Sequence, residues 1–378
     1  MTLQRRVWVE VDLAKLRRNY HRIAAAVKPA RVLCVMKANA YGLGVLPCAE
    51  ALAQTDCAGF GVAEPFEALQ LATACSERGI KKPIQILSSI LPDEIEPMVA
   101  AGIILPVTDL ATAKRINQAA QRLKKKARVH FKIDSGMGRL GIPLAEAPRV
   151  VASARRLAHL VGEGIFSHCP VAFDPVNPFT GEQIARFKGL LETLRRAGHV
   201  FPVVHVAASD AINNFPEAVR PPFTQVRTGI NLFGSFDPNG RRVLKVESIL
   251  TLKTRVAQVR TLPAGTTLGY GRTWCLNRAT RVATISAGYA DGLPLALTNR
   301  GHVLIQNVPC PILGRISMDY TTVDVSNIPA VAPGEEVVCL GGTGAGRVTP
   351  DDWGLLKGTH AYEIICSLGN RVQRVYKN

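Results

Sequence analysis

Between residues 10 and 240, short apolar, β-branched runs alternate with longer stretches of helical period, and this alternation limits the possible folds more than any other feature. The runs are VLCVMK (32–37), GFGVA (59–63), IQIL (84–87), IILPV (103–107), VHFKID (129–134), GEGIFS (162–167), VVHVA (203–207) and VRTGINLFG (226–234). Between them lie segments such as AEPFEALQLATACSERG and DLATAKRINQAAQRLKKK, the second with Thr108 and Asp109 as candidate caps. Eight strands alternating with helices is the count of a closed parallel (β/α)8 barrel of TIM type. A doubly wound open sheet is the rival.

After residue 240 the pattern changes. SILTLKTRVAQVRTL, RVATISAG, HVLIQ, TTVDV and EVVCL read as strands with Pro and Gly between them, and helical signals are scarce until near the end. The reading is a barrel over residues 1–240 and a mostly β domain over 241–378, divided at the turn-forming Asp237-Pro238-Asn239-Gly240.

The 378 residues carry 47% hydrophobic side chains, ample for packed cores, and no apolar run approaches the ~18 residues of a membrane span. The net charge of +17 raises nucleic acid or membrane contact. Against both, the basic residues are scattered, their densest cluster is Lys124-Lys125-Lys126, and no aromatics interleave with them as a stacking surface. A basic surface that attracts small anions is the simpler expectation. Nine cysteines, irregularly spaced and without a CxxC pair, read as reduced thiols of a cytoplasmic protein, and the N-terminus lacks an apolar export signal.

A barrel places its chemistry at the C-terminal ends of its strands. There the sequence sets Lys37, Arg139 (just past Asp134), His168, Ser209 and Arg227. Five such residues converging on one face would make an anion site with a nucleophilic amine. Lys37 either snorkels to water or, with its stem packed among apolar residues, has the lowered pKa of a Schiff-base lysine. Lys132 lies within its strand and points into the barrel, where an unpaired ammonium is costly. The Gly-rich HFKIDSGMGRLG is an ordinary loop or a close backbone approach to a ligand. Backbone N–H groups after Arg227 could hold a phosphate. His168 has no second histidine at ligand spacing, so no metal is expected, and Cys169 has no activating arrangement. Tyr41, Tyr270 and Tyr362 lie in Gly-containing or motif-like contexts, where packing or hydrogen bonding is the ordinary role.

Taken together, VMKANAYGLG, HFKIDSGMGRLG, AGYADG and GRISMDYTTVDVS resemble the alanine racemase family in content and order. The resemblance runs from WVEVDLAKLRRNY to YEIICSLGNRVQRVY. It implies a pyridoxal 5'-phosphate enzyme with an N-terminal α/β barrel and a C-terminal β domain, which the first few residues (about eight) join. It also implies a homodimer with shared active sites, alanine as substrate, and supply of D-alanine for peptidoglycan precursors. Position by position, Lys37 would hold the cofactor and act as one base. Tyr270 of a partner subunit would be the opposite base. Tyr41, Ser209, Gly229, Ile230 and Tyr362 would hold the phosphate, His168 would contact the ring, and Arg227 would face the pyridine nitrogen. Arg139 would bond the phenolic oxygen and, with Met318, serve the substrate. Lys132 matches a position that is often carbamylated, which would turn a buried cation into an anion able to pair with Arg139.

The chemistry is consistent with these roles. Abstracting an α-proton needs an electron sink, and inversion needs a base on each face. A transaminase would want Asp or Glu at the pyridine nitrogen, where Arg227 stands here. Several positions depart from the family's pattern. Leu295 stands for an arginine near the substrate entrance, Ala208 for an asparagine, Thr228 for a proline, and HCPVAFD differs after its histidine. These changes touch substrate range more than reaction type, and a broad-specificity or serine-type racemase is the alternative.

Overall fold

A computed structural model describes residues 5–343 and 346–378. Its chain divides into two compact units, one of residues 16–232 and 239–246, the other of residues 1–15, 233–238 and 247–378. β1 (Trp8–Asp12) belongs to the second unit.

The first unit strings its strands in parallel. They are β2 (Arg31–Val35), β3 (Gly59–Val62), β4 (Ile84–Ile86), β5 (Leu105–Val107), β6 (Ala127–Asp134), β7 (Ile142–Pro143), β8 (Leu160–Phe166), β9 (Val203–His205) and β10 (Gln225–Thr228). β10, β2, β3 and β4 form one ladder, and β5, β6, β8 and β9 another, with β7 paired to the end of β6. Backbone bonds close both seams. Ile86 N donates to Ile104 O (3.0 Å) and Ile104 N to Ile84 O (2.9 Å); Thr224 N donates to Val204 O (2.9 Å) and Arg227 N to Ala207 O (3.0 Å). Without β7, these eight strands among the described residues form a ring with no open edge, which rules out the doubly wound alternative.

Each of the eight apolar runs contains or overlaps a barrel strand. The last differs in length: β10 stops at Thr228, because Gly229 N turns away to Ser209 Oγ (3.0 Å) and leaves the ladder. Helices cover the outside. Leu110–Arg122 starts where Asp109 accepts from Thr112 N (2.6 Å), and it buries Thr112, Ala113, Ile116, Ala119 and Ala120 as one stripe. Residues 239–246 are tied to this unit through Arg241 N to Asn214 Oδ1 (2.8 Å) and Leu244 N to Asn213 Oδ1 (3.2 Å).

The second unit is built on β11 (Leu250–Leu262), whose first half alternates buried and half-buried residues. It continues through β12 (Thr267–Leu268), β13 (Trp274–Cys275), β14 (Thr280–Ile285), β15 (His302–Ile305), β16 (Val308–Pro311), β17 (Thr321–Asp324), β18 (Glu336–Leu340) and β19 (Gln373–Lys377). β11 pairs antiparallel with β1, β14 and β18, and β1 pairs parallel with β19. Lys253 on β11 bridges Glu10 on β1 (3.2 Å) and Glu336 on β18 (2.8 Å), a cross-strand charge set that favours this register. Among the described residues, no helix is long and apolar enough to cross a membrane.

Candidate active site

Polar side chains collect at the C-terminal mouth of the barrel. β2 ends in Val35 and the buried Met36, and Lys37 follows, exposed at the mouth. Met36 takes the buried position at the strand end. The next four residues, Ala38 to Tyr41, have φ between 53° and 57°, a single left-handed turn that L residues adopt at a cost. Ala40 N to Met36 O (2.9 Å), Gly42 N to Ala38 O (2.7 Å), Val45 N to Asn39 Oδ1 (2.8 Å) and the Glu67 carboxylate on Ala38 N hold it.

That turn leads into Tyr41, whose phenol is buried against Gly229. A Cβ at Gly229 would lie 2.1 Å from Tyr41 Oη, so the backbone there can approach the phenol only as glycine. Ser209, at the start of the helix Ser209–Asn214, accepts from Gly229 N, and Ile230 is fully buried beside it. Gly229→Ala is expected to cost about 1–3 kcal/mol by forcing Tyr41 out of place, checked by chemical denaturation. An unchanged midpoint would mean that the contact relaxes freely.

Arg227, on β10, is 4% exposed and has no carboxylate partner among the described residues. Its Nη2 donates to Ser167 O (2.7 Å), Val206 O (3.0 Å) and His168 Nδ1 (3.3 Å), and its Nη1 donates to His205 Nδ1 (2.7 Å). A guanidinium only donates, so both imidazoles accept through Nδ1 and carry their protons on Nε2. Burial lowers Arg227 to about 10, which leaves it a cation at neutral pH.

Lys132, on β6, points inward, and its Nζ donates to Leu87 O (2.7 Å) and Ser88 O (3.2 Å). Those carbonyls supply the compensation that a buried ammonium needs. Burial first, then the charges of Arg139, Arg227 and Lys37, lower it to about 8 despite Asp134. Arg139 is exposed in the loop after β6. Asp134 shapes that loop by accepting from Gly136 N (2.9 Å), Met137 N (2.8 Å) and Gly138 N (3.1 Å). Burial and the same cations push His168 down to about 3. Lys37, Lys132, Arg139, His168 and Arg227 thus stand within electrostatic reach of one another.

Buried neutral histidines give the fold an acid limit. His130 is lowered to about 3 by burial and by Arg128, against about 6.5 in an unfolded chain. Between these values the unfolded state binds the extra proton, so stability is complete above pH ~6.5 and falls as pH drops. The expected loss from His130 alone is about 2 kcal/mol at pH 5, read from denaturation midpoints between pH 5 and 8. A flat profile would contradict the buried neutral state.

Tyr270, Met318 and Tyr362 belong to the second unit. Tyr270 is 73% exposed at the tip of the β12–β13 hairpin, where Gly269 and Gly271 both have positive φ. The hairpin is anchored by Leu268 and Leu276, packed on Val282 and Leu313. Met318 is half exposed, and its carbonyl accepts from Ala290 N (3.1 Å) and Arg371 Nη2 (3.4 Å). Tyr362 stands edge-on to His360 (5.2 Å). Leu295 is exposed in a short 3₁₀ turn, Leu295–Leu297.

The sequence reading missed His205, His130 and Gln85, which stand below Arg227. Their signal was a polar residue at an inward position of a β-branched run, as in VVHVA and VHFKID.

A barrel mouth that offers an amine, several cations and a glycine-dependent cradle is that of an enzyme handling an anionic ligand through amine chemistry. The sequence matches the family model for the alanine racemase N-terminal domain over residues 11–237 and that for the C-terminal domain over residues 249–376. An alanine racemase of Symbiobacterium thermophilum is 36% identical over 373 residues, covering 98% of this chain and 97% of the relative. One of Halothermothrix orenii is 34% identical over 379 residues, covering 100% and 98%. The crystal structure of alanine racemase from D-cycloserine-producing Streptomyces lavendulae is similar with a TM-score of 0.92 at 32% identity, covering 100% of this chain and 98% of that one. The Bartonella henselae enzyme, with covalently bound pyridoxal phosphate, gives 0.86 at 29% identity, covering 99% and 100%. The chain belongs to the alanine racemase family.

Proposed function

We propose that this protein interconverts L- and D-alanine with pyridoxal 5'-phosphate as its cofactor. The observation that carries the reading is the cradle of Tyr41, Ser209 and Gly229 beside the Lys37 turn, in a chain that matches alanine racemases along its whole length. The cradle fits a phosphate: the Ser209 hydroxyl, held by Gly229 N, and the Tyr41 phenol meet the Gly229 backbone, where no side chain intrudes.

When bound, the cofactor supplies the electron sink for the α-carbon. The residues that would hold it are Lys37 by its amine, Tyr41, Ser209, Gly229, Ile230 and Tyr362 at the phosphate, and His168, Arg139 and Arg227 around the ring. Arg227 keeps its own protons at neutral pH, so it can donate to a pyridine nitrogen without protonating it. Lys37 Nζ takes or returns the α-proton on one face of the substrate, and Tyr270 Oη of a second copy of the chain does so on the other. Arg139 and Met318 orient the substrate. At a pKa of about 8, part of Lys132 is unprotonated and able to add carbon dioxide with loss of a proton, giving an anion beside Arg139. Labelled bicarbonate would report that adduct by its carbon resonance, and an unlabelled Lys132 would refute it.

In this reading the barrel unit supplies the cofactor site and the second unit supplies Tyr270. Its 73% exposure suits donation to a second copy, so the active form is a homodimer with shared sites. A cytoplasmic enzyme feeding D-alanine into peptidoglycan precursors is the role that fits.

The test is a chiral chromatography time course on the purified chain with the cofactor, offering L-alanine, L-serine and larger L-amino acids in parallel. D-alanine forming much faster than any other product is the expected result. If serine or larger substrates match alanine, the broader racemase reading wins, and the exposed Leu295 is the residue to change to arginine. No D-product from any substrate would overturn both readings.

A further inference from the structure

We infer that His130 is a positioning residue for the proposed racemase: from inside the barrel it fixes the tautomer of His205, and through His205 the orientation of Arg227. The inference rests on the racemase reading and adds a residue below the mouth that the family resemblance left without a role.

Gln85, His130 and His205 come from β4, β6 and β9, the third, fifth and seventh strands around the ring from β2. Alternate strands fill one layer of such a barrel, so these three side chains form a polar layer directly beneath Arg227. The contacts run Gln85 Nε2 to His130 Nδ1 (3.0 Å), His130 Nδ1 to His205 Nε2 (3.3 Å), and His205 Nδ1 to Arg227 Nη1 (2.7 Å).

The direction of every bond follows from Arg227. The guanidinium donates to His205 Nδ1, so the neutral imidazole of His205 has its proton on Nε2. That proton needs an acceptor, and His130 Nδ1 provides it. Gln85 donates to the same lone pair, so His130 in turn carries its proton on Nε2. His130 Nε2 is buried and has no hydrogen-bond partner among the described residues, in a side chain only 2% exposed. An unpaired buried N–H is costly, and moving the proton to Nδ1 would set it against two donors. The cost is explained if the free lone pair on Nδ1 is what the layer requires.

The surroundings hold the ring in place. A Cβ at Gly164 on β8 would lie 2.6 Å from the His130 ring, so the neighbouring strand has made room for it. Phe166, two residues on, stacks on His205 (4.8 Å between centroids, 1° between planes) and lies 5.5 Å from Arg227 Cζ. His205 can then neither tilt away from Arg227 nor exchange its tautomer while His130 accepts from it.

Two substitutions test this in the full chain, with and without pyridoxal 5'-phosphate. His130→Leu keeps apolar volume and removes the acceptor; His130→Asn puts an oxygen near the place of Nδ1. Histidine-selective 15N labelling reads the tautomers of the eight histidines, with His205 assigned by its loss in His205→Gln. In the unmodified chain His205 is expected to be neutral with its proton on Nε2. In His130→Leu it becomes a tautomer mixture, and kcat for alanine falls about 10- to 100-fold with a smaller change in KM. His130→Asn restores the single tautomer and most of kcat. A packing role predicts the reverse order, with leucine better than asparagine. A proton on Nδ1 of His205 in the unmodified chain overturns the proposal even if no variant folds, as does asparagine performing no better than leucine. The tautomer is read without turnover, so failure here is separate from failure of the racemase reading, which the unmodified chain's own D-alanine assay decides.

Discussion

Lys37→Ala is expected to lower kcat/KM for L-alanine by more than about 10⁴-fold, because in the proposed mechanism it removes both the cofactor's attachment point and one of two bases. Folding should be nearly untouched. The backbone of the left-handed turn is held by main-chain bonds and by Asn39 and Glu67, and the buried position at the end of β2 belongs to Met36. The variant should therefore keep its thermal midpoint while losing D-alanine production in the chiral assay. Substantial turnover by Lys37→Ala without added amine would remove Lys37 from the mechanism.

The second large effect concerns Tyr270→Phe. Deleting one oxygen from a side chain that is 73% exposed costs the hairpin nothing, since Leu268 and Leu276 anchor it. In the proposed mechanism the base on one face of the substrate is lost and the other remains. Exchange of the α-proton with deuterated solvent should slow by about 10²- to 10⁴-fold for one enantiomer and far less for the other. Proton NMR of each enantiomer, started separately, measures this asymmetry. Wild-type exchange from both would exclude Tyr270 as a base. A fully active monomer in sedimentation would exclude the shared-site arrangement, whatever the exchange rates.

Both experiments rest on positions that are legible in the amino-acid sequence. Strand-end logic places Lys37, Arg139, His168, Ser209 and Arg227 together, because parallel strands in a barrel end on one rim. It does not show that Lys37 is exposed, since one residue of register decides whether Met36 or Lys37 turns inward. Nor does it suggest the layer of Gln85, His130 and His205. A single polar residue in an apolar run gains its meaning only from what stands across the barrel.

For this protein the local pattern of hydrophobic residues was sufficient to determine the eight barrel strands and the change to β structure after residue 240, while the motifs that resemble the family lie in specific short runs of residues. Those properties depend on neighbours a few residues apart, where side-chain period and turn chemistry act directly. Tertiary structure alone decided the closure of the ring, the parallel pairing of β1 with β19 and the tautomers beneath Arg227. Each joins residues distant in the chain; Trp8 pairs with Gln373, and Gln85 meets His130. Such contacts form only when the burial of both faces of the barrel has outweighed the entropy of closing the long loops between them.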